Sequence, residues 1–103
     1  MEEGKGPICM RIHVQEGHRL MAACDRTLLG KEFSEHELKL KVSESFYNDE
    51  FVDKDTFLRF LETCDMANLV GEIVVGAAAE VGLIDPENVL KIEGIPHAQL
   101  CQA

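Results

Sequence analysis

The side chains of this chain that could do chemistry are four thiols, four imidazoles and a few hydroxyls and carboxylates set beside apolar runs. Cys24-Asp25 comes first. A thiol leaving a strand beside free turn amides can be drawn toward the thiolate and act as a nucleophile, with a base from His13, His18, His36 or His97. No familiar cysteine-enzyme signature surrounds it, and a buried thiol next to an aspartate capping its own turn accounts for the same residues. Ser43-Glu44-Ser45-Phe46-Tyr47 brings two hydroxyls, a carboxylate and the single tyrosine together. It lacks the glycine-flanked serine of a nucleophile elbow, and continued strand alternation would turn Ser43, Ser45 and Tyr47 to one side. Asn68, Glu72, Gly76 and Glu80 recur every four residues, the spacing of one helix face. Glu72 on an otherwise oily helix must be exposed, paired or held in a cleft, because an unpaired buried carboxylate costs several kcal/mol. His97 and Gln99 follow Pro96, where a loop would present them. The candidate polar site is therefore Cys24, Asp25, Ser43, Ser45, Tyr47, Asn68, Glu72, His97 and Gln99.

Spacing argues against a metal or cofactor. Cys9, Cys24, Cys64 and Cys101 form no C-x-x-C pair, and His13 and His18 straddle a turn, so no zinc ligand set emerges. Gly71, Gly76 and Gly82 fit neither a dinucleotide-binding fingerprint nor a phosphate loop. Neither a metal nor a cofactor is expected, and the cysteines read as reduced core residues.

The elements that must position these groups follow from periodicity. Ile8, Met10, Ile12 and Val14 alternate with Cys9, Arg11, His13 and Gln15, which predicts a strand over 8–15. Glu16-Gly17-His18 turns it into a second strand over 19–24. Asp25 to Gly30 reads as a turn, and Leu38, Leu40 and Val42 mark a third strand over 37–47. Asp53 as N-cap, with Val52 placed to staple onto Phe57, predicts a helix over 53–64. The oily run from Met66 to Val81 predicts a second helix ended by Gly82. A short strand at 89–92, a Gly94/Pro96 turn and a polar tail complete the chain. The expected fold is α+β, a small, mostly antiparallel sheet covered by two helices, with 1–7 as a flexible N-terminus and 8–103 as one domain.

Composition narrows the function classes. With 46% apolar and 28% charged residues, the chain is neither disordered nor low-complexity. Nineteen acidic groups against ten basic give a net charge of −9, the opposite of the basic footprint of nucleic-acid binders, so bulk electrostatic attachment to DNA, RNA or anionic lipid is disfavoured, and neither direct DNA binding nor a membrane partner is expected. Residues 1–31 nonetheless hold five of the ten basic groups, so a local surface around Arg11, Arg19, Arg26 and Lys31 could meet an anionic partner. No secretory signal or membrane span is read, which makes a cytoplasmic setting the expectation.

Ala22-Ala23-Cys24-Asp25 with Leu28-Leu29-Gly30-Lys31, Val42 to Tyr47, Ala67 to Glu72, and Pro86 to Leu90 through Ile95 to Gln99 together resemble a small archaeal family of about a hundred residues described as a domain of unknown function. The resemblance spans nearly everything after Pro7. It implies a cytosolic archaeal setting and assigns no residue a role. The sequence is thus read as a non-catalytic intracellular binding or assembly module for a protein or ribonucleoprotein partner, with a homodimer also compatible with its oily helix. The other reading is a small enzyme in which Cys24 or Glu72 acts with His97.

Overall fold

Glu16 and Gly17 both carry positive φ, 54° and 81°, the two-residue turn that matches strand twist and closes a hairpin. It joins β1 (Ile8–Gln15) to β2 (His18–Asp25), paired antiparallel with Cys9 opposite Cys24. The computed structural model describes residues 6–102. The expected flexible segment 1–7 therefore lies outside the described residues except for Gly6 and Pro7, whose carbonyl in Pro7 accepts from Arg26 N at 2.8 Å.

A 3₁₀ turn at Arg26–Leu28 leads to a separate hairpin of β3 (Glu32–Glu35) and β4 (Leu38–Lys41). The third strand stops there, not at 47: α1 (Glu44–Tyr47) is a single helical turn with Ser43 at its N-cap. β5 (Glu50–Val52), β6 (Met66–Val70), β7 (Leu90–Ile92) and β8 (Ile95–Cys101) complete a six-stranded sheet ordered β5-β1-β2-β6-β8-β7. All neighbours in it are antiparallel except β2 and β6, so the sheet is mixed. Among the described residues three α-helices accompany it: α1, α2 (Lys54–Leu61) and α3 (Glu72–Glu80). The α+β class holds, while a small sheet under two helices does not.

The helix expected over 53–64 is α2, which starts one residue later, after its N-cap Asp53, and ends three residues earlier. Asp53 Oδ1 accepts from Thr56 N at 2.8 Å, and Val52 joins the same core as the fully buried Phe57, the staple that the spacing implied.

The main correction concerns residues 66–81. Their first five residues are a strand, and the helix begins only at Glu72. β6 lies between β2 and β8, so Ala67, Leu69 and Val70 are buried from both faces of the sheet. A central strand of this kind reads as a continuous apolar run with no alternation to mark it. Gly71 then breaks the chain direction at φ 118°, ψ 157°, a backbone region essentially reserved for glycine. The four-residue stripe of Asn68, Glu72, Gly76 and Glu80 consequently does not exist as one face. Gly82 ends α3 as expected: its N–H reaches Ala79 O and that of Leu83 reaches Ala78 O, both at 3.0 Å, the paired bonds of a Schellman motif.

Alternation divides the core into two faces. On one, α2 and α3 cover Ile8, Met21, Leu69 and Ala98. On the other, Cys9, Cys24 and Val70 lie beneath Leu40, Val42 and Tyr47 from the β3–β4 hairpin and α1. The hairpin is tied down by reciprocal bonds, Ser34 N to Glu93 Oε2 and Glu93 N to Glu35 Oε1, each 2.6 Å. Among the described residues no helix is long and apolar enough to cross a membrane.

Candidate functional site

The second face carries the candidate site. β6 and β8 pair with Asn68 opposite Gln99 and Val70 opposite His97, so period-2 alternation turns Asn68, His97 and Gln99 to the side covered by α1. The turn of α1 is held over that face by β1. The Cys9 thiol donates to Tyr47 O at 3.2 Å, and His13 Nε2 lies 2.9 Å from Phe46 O. A carbonyl only accepts, so His13 carries its proton on Nε2. Its ring also stacks on Phe46, centroids 4.7 Å apart, and Phe46 meets Tyr47 edge-on. Between α1, the end of β4 and the sheet opens a concavity of about 530 Å³, lined by Leu40, Lys41, Ser43, Ser45, Phe46, Tyr47, Asn68, His97 and Gln99. Its volume is within the range of small-molecule pockets.

Six of the nine residues singled out in the sequence thus converge: Ser43, Ser45, Tyr47, Asn68, His97 and Gln99. Gln99 Nε2 donates to Asn68 Oδ1 at 3.1 Å, which fixes the two amides side by side and leaves Asn68 Nδ2 and Gln99 Oε1 as free donor and acceptor. Burial pushes Tyr47 up to about 12, with the Cys24 thiol adding to it, so the phenol keeps its proton. His97 is half-buried, and the loss of hydration moves it below its ordinary 6.5. Its unfolded form takes a proton near 6.5 while its folded form resists; the stability this contributes is full above that pH and is lost as pH falls through the folded value. An NMR titration should therefore place the His97 midpoint below 6.5; a midpoint at or above that value would contradict the burial.

The other three residues do not line the concavity. Cys24 has no exposed surface, and burial, followed by the neighbouring Cys9 and Asp25, drives its thiol to about 12. Such a thiol is inert as a nucleophile. In the folded protein iodoacetamide should modify the exposed Cys101 and spare Cys9, Cys24 and Cys64 until denaturant is added; fast labelling of Cys24 near neutral pH would overturn this. Glu72 is exposed in the first turn of α3, beyond the Gly71 break. Cys24 shares a register row with His97 through Val70 but is sealed from solvent, and neither Cys24 nor Glu72 lines the concavity that His97 enters.

Asp25 is 7% exposed and does not cap its own turn. Its carboxylate crosses instead to the start of α3, where Oδ1 and Oδ2 accept from Ile73 N at 3.1 and 3.0 Å and Oδ1 from Val74 N at 3.1 Å. The helix N-terminus, a natural anion site, is filled by the chain's own carboxylate. Burial raises Asp25 above the usual range, the bonds from Ile73 and Val74 pull it back, and Glu72 adds to the rise.

Among the basic residues of the first third, Arg11 is on the second face, Arg19 reaches Thr63 Oγ1 at 3.1 Å, and the Arg26 guanidinium sits 4.0 Å over the Phe51 ring. Sequence reasoning missed Lys41, Phe46 and Leu40 as lining residues; only Phe46 lay within a segment singled out for chemistry. Among the described residues, no group of three or more His, Cys, Asp or Glu side chains is placed to hold a metal ion.

No curated protein matches the chain. In three dimensions it is similar to a crystal structure of an uncharacterized conserved protein from Methanopyrus kandleri, with a TM-score of 0.75 and 25% identity over 92% of this chain and 90% of that one. Residues 12–103 match the model of a family described as a protein of unknown function, DUF424, and the chain belongs to that family.

Proposed function

We propose that the protein is a non-catalytic binding module whose recognition surface is the concavity between α1, β4 and the exposed ends of β6 and β8. The observation that carries this reading is the set of groups gathered there: the three hydroxyls of Ser43, Ser45 and Tyr47, two coupled amides, an imidazole, and Lys41 as the one formally charged side chain. These groups donate and accept hydrogen bonds without offering an activated nucleophile, and an apolar wall of Leu40 and Phe46 gives them something to orient a partner against. The thiol that could have supplied covalent chemistry is sealed in the core.

The experiment places a photo-crosslinking benzoylphenylalanine at Gln99 in one variant and at Ile73, exposed on α3, in another. In extract of the source organism, adducts should form from position 99 and not from 73. Adducts of equal yield from both positions, or from 73 alone, would contradict the assignment.

A further inference from the structure

The acidity of this chain is absent from one region. The adjoining strands β1, β2, β6 and β8 contain a single carboxylate, Asp25, and it is buried against the start of α3. On a chain of 19 acidic and 10 basic groups, the second face of these strands is left with none. The register sets Arg11, Ala22, Asn68 and Gln99 in one row there and His13, Leu20, Met66 and Cys101 in the next. Met66 is 43% exposed, Arg11, Gln99 and Cys101 are exposed, and Asn68 and Leu20 are partly so. Phe46 stands between the two halves of this surface, stacked on His13 and facing the concavity. Arg11 flanks one side, and Lys41 lies in the wall of the concavity.

We infer that this face takes a short segment of single-stranded RNA, with bases seated in the concavity and phosphates toward Lys41 and Arg11. The inference rests on the binding-module reading and names its partner. Flat rings suit the Phe46 and Met66 surfaces, since stacking on aromatic and apolar side chains is how unpaired bases are held. The free donor and acceptor of Asn68 and Gln99 match the edges of a base, and Ser43 and Ser45 offer uncharged partners for a 2′-hydroxyl. An acidic peptide would meet the same two cations but would leave the flat apolar wall without a ring to cover it. Two phosphate contacts on a chain of net charge −9 make the binding weak, with log K falling against log salt at a slope of about −1.4.

The test uses the full chain and fluorescein-labelled eight-nucleotide RNAs of single-base composition, the DNA equivalents and an oligoglutamate peptide, followed by anisotropy and by amide shifts in ¹⁵N spectra. At least one RNA should bind more tightly than its DNA, with shifts confined to residues 11–13, 41–47, 66–68 and 97–101. The Asn68→Asp/Gln99→Glu double variant should lose at least about tenfold in affinity, a carboxylate near phosphate being repulsive, and Lys41→Glu alone should weaken binding and flatten the salt slope. Native-like spectra establish that these surface variants fold, and Glu80→Gln on α3 should bind as the parent does. Absence of RNA binding at millimolar concentration, or DNA binding equal to RNA, overturns the assignment. Peptide binding at this face without RNA binding overturns it while leaving the binding-module reading intact. RNA binding with shifts on α2 and α3 overturns both.

Discussion

Gly71→Ala should strongly destabilise the protein. The residue has φ 118° and ψ 157°, where a side chain costs about 1–3 kcal/mol in backbone strain. A Cβ there would also overlap the Asp25 carboxylate, lying 2.5 Å from Oδ1 and 2.6 Å from Oδ2. Moving that carboxylate strands the amides of Ile73 and Val74, each unsatisfied buried donor costing about 1–3 kcal/mol. A total loss of about 4 kcal/mol lowers the melting temperature of a domain this size by about 20 °C. The same atoms predict a coupling. Asp25→Ala alone should cost about 2–3 kcal/mol through the lost cap, and adding Gly71→Ala to it should cost less than in the parent, because the overlap has gone and only the strain is left. Thermal melts of the four proteins check this; strict additivity would mean that Gly71 and Asp25 do not share a contact.

Phe57→Ala is expected to cost about 3–5 kcal/mol, the range for removing a buried aromatic ring. Phe57 is fully buried and is the largest of the sealed side chains. It sits in the core between α2 and the helical face of the sheet with Ile8, Met21 and Leu61, where little can collapse into the gap. Phe60→Ala, one turn further on and 39% exposed, should cost under about 1 kcal/mol. Denaturant titrations of the pair check the ordering; equal losses would mean that α2 does not present this face to the sheet.

These two positions differ in how far the sequence announces them. Phe57 is legible because an N-cap, a staple and a 3.6-residue stripe all mark the same short helix, and each is local. The first hairpin is legible for the same reason, with its alternation and its Glu16-Gly17 turn. Gly71 is not, because its role depends on Asp25, forty-six positions earlier, and on a parallel pairing of β2 with β6 that no local pattern specifies. The misreading of 66–70 as helix follows from that pairing: a strand buried on both faces loses the period that would identify it. β8 was hidden differently, by Pro96 and by polar residues that suggest a tail. Pro96 is accommodated because its missing N–H costs no ladder bond, while its carbonyl accepts from Gly71 N at 2.9 Å.

The candidate site was legible in part for a related reason. Ser43, Ser45 and Tyr47 were singled out as one side of a strand and are gathered by a helical turn instead. Asn68 was placed on a helix stripe with Glu72, yet it meets Gln99 across two strands. The residue types were informative because uncharged hydrogen-bonding groups beside apolar runs are unusual, whereas the elements carrying them were settled by tertiary pairing. Cys24 and Asp25 were drawn in by type as well, and burial assigns them to the core and to a helix cap.

In the binding module proposed above, recognition belongs to the second face of the sheet and owes nothing to the Cys24 thiol. The most direct measurement compares partner recovery from extract of the source organism by the tagged parent, Cys24→Ala and Asn68→Asp/Gln99→Glu, each with a native-like spectrum. Cys24→Ala should recover the partner as the parent does, and the double variant should lose it. Recovery that vanishes with Cys24→Ala and survives the two added carboxylates would contradict the account.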